Sequence, residues 1–386
     1  MRTSAFIIFL TIVIVIYGLT NFYIYTRAMQ SIPAGTSWRI WFAIIFWLLV
    51  SAYIIARVLE RAHPCDVTEV VTWIGSLWLG IMVYSFLVVL LIDLVRIADH
   101  FLHFFPAFLS ADYSKIKLVT LFISVCIVAL TITAGFINAR LPRISHLDIP
   151  INKNVNGNKS LKIVMVSDIH MGTLIAKRRT NYMVEKIIKL KPDLILLAGD
   201  IVDEDLAPVI RRNLGEMLSH LKAKYGVYGI TGNHEYIGGV EPAVKYLTAH
   251  GIKMLRDTAV LVDNYFYLVG RDDRDKPRFT GKERKPLEEI MTDVDRSYPI
   301  ILMDHQPFKL DEAVEQGVDL QLSGHTHHGQ LWPFNYITNA IYDLSWGYKK
   351  IGQTSFYVSS GFGSWGPPIR LGNRPEIVEI NVRFRE

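Results

Sequence analysis

The chain has 386 residues, of which 51% are hydrophobic and 20% are charged, and it carries a formal net charge of +5. The hydrophobic share is higher than soluble globular proteins usually show, and the length allows more than one domain. The positive charge is spread along the chain, not gathered in one basic stretch, which argues against a nucleic-acid-binding protein. Both cysteines, Cys65 and Cys126, lie in the first part of the chain. The remainder therefore has neither a disulfide framework nor a thiolate metal site.

Four apolar runs before residue 140 are each long enough to cross a bilayer. Very few charges interrupt them, which favours membrane helices over buried core helices. The first run resembles a signal peptide, but it is long, lacks a small-residue cleavage site and precedes three further runs, so we interpret it as an anchor. The runs cover residues 5–25, 40–58, 70–92 and 116–137. We therefore predict a four-helix transmembrane anchor over residues 1–145.

The side of the membrane on which the rest of the chain lies stays open. An even number of spans places both termini on one side, and cytoplasmic loops usually carry the excess of Lys and Arg. The side of the termini has Arg2, Arg57, Arg61, Arg140 and Arg143, and the other side has Arg27, Arg39, Arg96, Lys115 and Lys117. The two sides carry equal numbers of basic residues, so the sequence selects neither orientation.

The composition becomes more polar after residue 140, and residues 152–159 contain Asn-Gly and Gly-Asn pairs that are typical of turns. We predict a linker over residues 146–160 and one sizeable domain over residues 161–386. Short apolar strands alternate with helix-like segments in that domain. This alternation predicts an α/β fold in which helices cover a buried sheet.

Metal-binding side chains follow five of the predicted strands. They are Asp168 and His170, Asp200 and Asp203, Asn233 and His234, Asp304 and His305, and His325, His327 and His328. Any one of these segments could instead be a helix cap or a turn. A common site accounts for all five, because open α/β sheets gather ligands at the carboxyl ends of their strands. Oxygen and nitrogen ligands without cysteine favour Mn, Fe or Zn ions.

In chain order the five segments read Asp-x-His, Gly-Asp-x-x-Asp, Gly-Asn-His-Glu, His-x-Pro and Gly-His-x-His. Together they resemble the signature of the calcineurin-like metallophosphoesterases, and the resemblance covers residues 160–384. Within that family the chain is most similar to a membrane-associated branch, because it has Gly-His-Thr-His-x-Gly-Gln at residues 324–330 and a Trp/Gly/Pro/Arg-rich segment at residues 363–370. The resemblance implies two sheets flanked by helices, an α/β/β/α sandwich, and metal-dependent hydrolysis of phosphoric esters.

The resemblance also implies a dinuclear site that binds Mn, Fe or Zn. The implied ligands are Asp168, His170 and His327 for one metal, Asn233, His305 and His325 for the other, and Asp200 for both. A metal pair of this kind clamps a phosphoryl group and generates the hydroxide that attacks phosphorus in line.

Four further residues have roles under the same resemblance. His234 is placed to protonate the leaving oxygen, and Asp203 to hold its other ring nitrogen. Arg370 is a candidate phosphate ligand, although a surface arginine is an equal alternative. Many relatives have glycine at the position of His328, which we expect either to face the substrate or to support a metal ligand.

These observations predict a membrane-bound hydrolase that cleaves a phosphodiester or pyrophosphate bond of a lipid or lipid-linked substrate. An aromatic stretch at residues 331–348, together with Trp365, could hold an acyl chain, or it could simply pack in the core. The alternative is a non-enzymatic membrane scaffold that retains the fold, which the full set of seven implied ligands argues against. The scarcity of charge within the spans argues against a transporter. We expect an integral protein of the cell membrane, without nucleic acid or an obligate protein partner.

Overall fold

The computed structural model describes residues 3–106, 112–153, 155 and 160–384. The chain divides into two compact units. The first comprises Met1–Ile137 with Gly366–Ile369, and the second comprises Asn138–Trp365 with Arg370–Glu386.

The first unit contains four long helices, α1 (Thr3–Met29), α2 (Trp38–Ala62), α3 (Asp66–Leu102) and α4 (Tyr113–Asn138). Each is long and apolar enough to cross a membrane, so the prediction of four membrane helices is confirmed. Close packing joins α2 to α3, because a Cβ on Gly75 would lie 2.5 Å from the Cα of Tyr53. Polar contacts add specificity inside the bundle, where the Nε1 of Trp78 donates to the Oδ1 of Asn21 at 3.1 Å.

The second unit contains twelve described strands in two six-stranded sheets. The strands are β1 (Arg143–Ile151), β2 (Ser160–Val166), β3 (Leu194–Ala198), β4 (Val227–Ile230), β5 (Lys253–Met254), β6 (Thr258–Val262), β7 (Phe266–Gly270), β8 (Ile300–Met303), β9 (Leu320–Ser323), β10 (Gly347–Ile351), β11 (Thr354–Val358) and β12 (Glu376–Phe384). The first sheet has the order β1-β12-β2-β3-β4-β5, and the second has the order β10-β11-β9-β8-β7-β6.

Helices cover the outer face of each sheet. The described helices of this unit are α5 (Lys177–Lys189), α6 (Ala207–Arg211), α7 (Gly215–Leu218), α8 (Asn233–Gly238), α9 (Val240–Ala249), α10 (Lys276–Thr280), α11 (Leu287–Ile290), α12 (Leu310–Glu315) and α13 (Asn335–Ile341). Of these, α5, α6, α7 and α9 pack on the first sheet, and α11 and α12 pack on the second. Successive strand residues point to opposite faces, so β2 directs Ile163 and Met165 into the core between the sheets and Val164 and Val166 toward the helices. The predicted α/β/β/α sandwich is confirmed.

The predicted linker over residues 146–160 is wrong at residues 146–151. Those residues belong to β1, which pairs in parallel with β12 from Arg143 opposite Glu376 to Ile151 opposite Phe384. Polar residues and Pro150 hide the strand in the sequence, and its partner lies at the far end of the chain. Of the predicted turn at residues 152–159, residues 154 and 156–159 lie outside the described residues.

Candidate metal centre

The five metal-binding segments follow β2, β3, β4, β8 and β9, and the structure brings them together. Backbone hydrogen bonds join the segments across the sheets. The amide of His170 donates to the carbonyl of Asp200 at 3.0 Å, and the amide of Gly324 donates to the carbonyl of His305 at 2.9 Å. The amide of His325 donates to the Oδ1 of Asp168 at 2.9 Å, which connects the second sheet to the first.

Three groups of side chains in the described part of the chain place their ligand atoms within 4.8 Å of one another. They are Asp168 with His170 and His327, Asp200 with His305 and His325, and His170 with Asp203 and His234. The first two groups correspond to the two implied metal positions, and the third contains the implied acid and its partner. The structure thus brings together every implied ligand except Asn233, which lies beside the second group.

The first group has closely spaced donor atoms. The Nε2 atoms of His170 and His327 are 3.0 Å apart, and the Nε2 of His327 lies 3.4 Å from the Oδ1 of Asp168. All three side chains are buried. One carboxylate and two imidazoles in a buried cluster form a donor set that suits a divalent transition metal.

The second group includes a histidine with a fixed orientation. The Nδ1 of His305 lies 2.8 Å from the carbonyl of Ala198, to which it donates, so Nε2 points at the Oδ2 of Asp200 at 3.1 Å. Metal-binding histidines generally hold their other ring nitrogen in this way. The Nδ1 of His325 lies 2.8 Å from the Oδ1 of Asn233, which gives this group a fourth donor.

Asp200 lies between the two groups. Its Oδ2 is 3.1 Å from the Nε2 of His305 and 3.9 Å from the Nε2 of His170. This position matches the bridging role that the resemblance implies. The Nδ1 of His170 is buried without a hydrogen-bond partner in the described chain. An unpartnered buried nitrogen in a cluster of imidazoles and two buried carboxylates fits a site for divalent cations.

Burial and mutual charges set the protonation of the site. Burial lowers the pKa of His170 to about 4 and that of His325 to about 3, and it raises the pKa of Asp168 to about 6. Burial also opposes the charges on Asp200 and His305, but their mutual attraction outweighs it. The pKa of Asp200 stays well below its usual range, and that of His305 rises well above. Neutral imidazoles therefore surround one strong internal ion pair.

The loops that carry these residues are strained. Asp168, His170, Asp200, His325 and His327 all have φ between 46° and 71°, which is the left-handed region. Side chains other than glycine adopt it at a cost of about 1–2 kcal/mol per residue. Strain of this kind persists where the surrounding structure enforces it, and it concentrates at functional sites.

Two glycines permit the close approach of the loops. A Cβ on Gly199 would lie 2.5 Å from the Nδ1 of His305, and one on Gly324 would collide with the Oδ2 of Asp168. Glycine at these positions lets one loop lie against a ligand side chain of another.

His234 and Asp203 form the predicted pair. The Nδ1 of His234 lies 3.0 Å from the Oδ1 of Asp203, and its backbone amide donates to the Oδ1 of Asp200 at 2.9 Å. Burial lowers the pKa of His234, but the charge of Asp200 and the hydrogen bond with Asp203 outweigh it and raise the pKa to about 9. His234 is therefore a cation at neutral pH, as a proton donor must be.

The structure places Arg370, the candidate phosphate ligand, inside the domain and not at the surface. Arg370 is fully buried, and all five of its N–H donors are used inside the domain. Nε and Nη2 donate to the carbonyl of Gly363 at 3.0 and 2.6 Å, and Nη1 donates to the carbonyl of Ser360 at 2.6 Å. The remaining donors contact the Oδ1 of Asn373 at 3.1 Å and the Nδ1 of His327 at 2.9 Å. Arg370 thus orients a candidate ligand.

His328 belongs to none of the three groups in the described chain. Its φ is 46°, and its ring contacts that of Trp346 in a tilted arrangement, with the centroids 5.0 Å apart. The side chain is partly buried, and it stays a candidate for contact with the substrate.

Two functional contacts could not be predicted from the motifs. Glu235 is completely buried, and its carboxylate accepts from the amides of Asp200, Val202 and Gly232 at 3.1, 2.9 and 2.7 Å. It therefore fixes the loop that presents Asp200. Trp365 lies with its ring centroid 6.2 Å from that of His234 and is 53% exposed. In the sequence, each residue was marked only by its position in a recognised motif. Glu235 is the last residue of Gly-Asn-His-Glu, and Trp365 lies in the segment 363–370.

The aromatic stretch after the last metal motif lies largely at the surface. Trp332, Phe334, Tyr336 and Tyr348 are exposed, as are Ile337 and Ile341 on α13. Core packing, the alternative explanation for this stretch, is therefore wrong for these four aromatic side chains.

Comparisons with known proteins agree with this geometry. Residues 161–329 match the calcineurin-like phosphoesterase family. The chain is 28% identical to an uncharacterized metallophosphoesterase of Campylobacter jejuni, over 99% of this chain and 100% of that protein. It is 32% identical to an uncharacterized metallophosphoesterase of Aquifex aeolicus, over 62% of this chain and 92% of that protein.

The name of one vertebrate relative includes both a transmembrane region and a metallophosphoesterase domain. The transmembrane protein with metallophosphoesterase domain of Danio rerio is 30% identical over 67% of this chain, and the match covers 62% of its length. Members of this family typically bind divalent metals, and the described donor groups suit that chemistry. The chain belongs to the calcineurin-like metallophosphoesterases, a family of metal-dependent phosphoric ester hydrolases.

Proposed function

We propose that the chain is a membrane-bound phosphodiesterase or pyrophosphatase with two divalent metals, and that its substrate is a lipid or a lipid-linked phosphate. Asp168, His170 and His327 would hold one metal, Asn233, His305 and His325 the other, and Asp200 both. Two metals bound there would polarise the phosphoryl oxygens and lower the pKa of water.

The residues of the chain support each part of the reaction. Asp200 and Asp168 carry the negative charge that a dication requires, and the amide oxygen of Asn233 adds a donor without adding charge that would repel a phosphate. His234 supplies the proton to the leaving oxygen. Asp203 accepts from Nδ1, which leaves Nε2 as the donating atom.

The lipid part of the proposal is carried by one observation, the exposed Trp365 beside His234. An exposed indole next to the residue that protonates the leaving group favours an apolar leaving group over a hydrated one. The exposed side chains of Trp332, Phe334 and Tyr336 extend the apolar surface of the same domain. Four candidate membrane helices keep this domain in a membrane environment.

The test compares one phosphate group in two settings. Detergent-solubilised full-length protein, loaded with Mn, is given a lipid-linked pyrophosphate and a water-soluble analogue with the same pyrophosphate. We expect kcat/KM to be at least about tenfold higher for the lipid-linked substrate, since each buried CH₂ contributes about 0.8 kcal/mol. Trp365→Ala should remove most of that preference and leave the soluble analogue unaffected. Equal kcat/KM values for the two substrates would overturn the lipid part of the proposal.

A further inference from the structure

A cavity of about 370 Å³ lies in the second unit and includes none of the candidate metal ligands. Its lining is polar and basic. The lining residues are Asn138, Arg143, His328, Trp346, Gly372, Asn373 and Arg374. No described carboxylate lines the cavity, so its chemistry is that of an anion site.

The two guanidinium groups in the cavity differ in how their charge is balanced. Arg143 is paired with the buried Glu376, with Nη2 and Nε at 3.2 and 3.3 Å from Oε2. Arg374 is exposed, and its Nη2 donates to the carbonyl of Leu141 at 3.0 Å. Within the described chain no carboxylate forms an ion pair with Arg374. The cavity therefore has one positive charge that the domain does not neutralise.

The wall of the cavity is held rigidly. Glu376 accepts hydrogen bonds from Arg143, from the Nε1 of Trp346 at 3.2 Å and from the amide of Ser360 at 2.8 Å. Trp346 in turn contacts two further groups of the wall. The guanidinium of Arg143 lies 4.9 Å from its ring centroid, and the tilted ring of His328 lies with its centroid 5.0 Å away. A wall fixed in this way loses little conformational entropy when a ligand binds.

The cavity is connected to the candidate metal centre through Asn373. Its Oδ1 accepts from Arg370, which also contacts His327, and its Nδ2 donates to the carbonyl of His328 at 3.2 Å. The connection keeps His328 in a left-handed conformation that glycine would adopt at lower cost. An imidazole retained at a strained position in the lining of a basic cavity indicates a contact that glycine could not make.

We propose that this cavity binds a phosphate-class anion, and that on the substrate this anion is a second phosphate group next to the one that is hydrolysed. Guanidinium groups match the geometry of phosphate oxygens, and the amide of Asn373 and the imidazole of His328 add neutral donors. The substrate class then narrows to compounds with two phosphate groups or a pyrophosphate. The second half of this inference rests on the proposed function, but the binding of the anion does not.

Binding is tested without turnover. Full-length protein in detergent is depleted of metal with a chelator, and its affinity for inorganic pyrophosphate is measured by calorimetry. We expect Arg374→Gln to weaken binding at least about tenfold, since the substitution removes a charge-assisted hydrogen bond to the anion. The matched control is Arg383→Gln, which removes an exposed arginine of β12 outside the cavity and should leave the affinity unchanged. Absence of pyrophosphate binding, or equal affinities for the wild type and Arg374→Gln, would overturn the site.

Turnover measurements then distinguish the two possible sources of the anion, a second phosphate group of the substrate and free phosphate. With Mn-loaded protein, Arg374→Gln should raise KM at least about tenfold for a substrate with two phosphate groups. It should leave kcat unchanged, and KM unchanged for a substrate with one phosphate group. If binding of pyrophosphate depends on Arg374 but neither KM changes, the anion is free phosphate and the substrate assignment is wrong. If no phosphate ester is hydrolysed while this binding persists, the proposed function fails and the anion site stands.

Discussion

The two sheets contribute different chemistry to the candidate metal centre. The loops after β2 and β3 of the first sheet supply Asp168, Asp200 and Asp203, and hence all the carboxylates of the three donor groups. The loops after β8 and β9 of the second sheet supply only imidazoles, those of His305, His325 and His327. A carboxylate brings charge and can bridge two ions, whereas an imidazole brings a neutral, oriented lone pair. The site is therefore complete only where the two sheets pack together.

The largest effect should come from Asp200, the proposed bridging carboxylate of the first sheet. Asp200→Asn keeps the size of the side chain but removes the charge that the two proposed metals would share, so we expect kcat to fall by about 10³-fold or more. Elemental analysis should find fewer than two bound metals per chain. Asp148→Asn, on the exposed part of β1, is the control and should change neither quantity. Full activity of Asp200→Asn with two bound metals would refute the shared-ligand role.

Removing the proton donor should have an effect that depends on the leaving group. If His234 protonates the leaving oxygen, His234→Asn should lower kcat by about 10²–10⁴-fold for an alkyl ester. A p-nitrophenyl ester needs little protonation and should lose far less. Steady-state assays of the wild type and the variant on both esters measure the loss of kcat for each ester. Equal losses for the two esters would show that His234 does something else.

A smaller effect should follow from changing Arg370, whose guanidinium contacts the imidazole of His327 in the second sheet. Arg370→Lys keeps the positive charge but has three donors instead of five and no planar fork, so His327 would lose its fixed orientation. We expect affinity for one of the two metals to fall by about 10–100-fold, as is usual when the partner of a ligand is lost. Titration of metal into chelator-treated protein measures this. Unchanged affinity in a folded variant would mean that Arg370 only fills space.

The smallest effect concerns a buried carboxyl that adjoins the second sheet without belonging to any donor group. Asp273 follows β7, is completely buried, and accepts from the Nε2 of Gln306 at 2.9 Å. Burial raises its pKa to about 7. A raised folded-state pKa favours the native state at low pH, and this contribution is lost as pH rises from about 4 through 7.

Asp273→Asn should therefore remove this pH dependence. In metal-depleted protein, the variant should gain a few degrees of Tm relative to wild type at pH 8, but little at pH 5. Thermal unfolding at the two pH values gives the comparison. A constant difference in Tm between the two proteins across this range would show that Asp273 does not titrate there.

The sequence predicted those parts of the site that depend on local patterns. Each buried strand and the polar residue that ends it are adjacent in the chain, so Asp168, Asp200 and His305 could be placed before the fold was known. The same holds for the four apolar helices. The pairing of Asp203 with His234 came from the family resemblance, and the structure places the two side chains within hydrogen-bond distance.

The remaining features depend on contacts between distant parts of the chain. Arg370 lies in the Trp/Gly/Pro/Arg-rich segment, but nothing in that segment indicated that all of its N–H donors would be used within the domain. Glu376 belongs to none of the recognised motifs, yet it accepts from Arg143, which lies 233 positions earlier. Arg271, Asp272 and Asp273 are three successive charged residues, yet all three side chains are buried, and Arg271 pairs with Asp304. Local patterning cannot reveal a partner that only the packed fold brings close.

The pairing of β1 with β12 has a consequence for biosynthesis. The first strand of the domain emerges from the ribosome long before β12, the one strand that pairs with it in the described sheet. Until then β1 is an unpaired edge, and such edges invite association with other nascent chains. The first sheet therefore cannot be completed before β12 has been synthesised, and a premature stop codon anywhere upstream of β12 would leave a chain unable to close it.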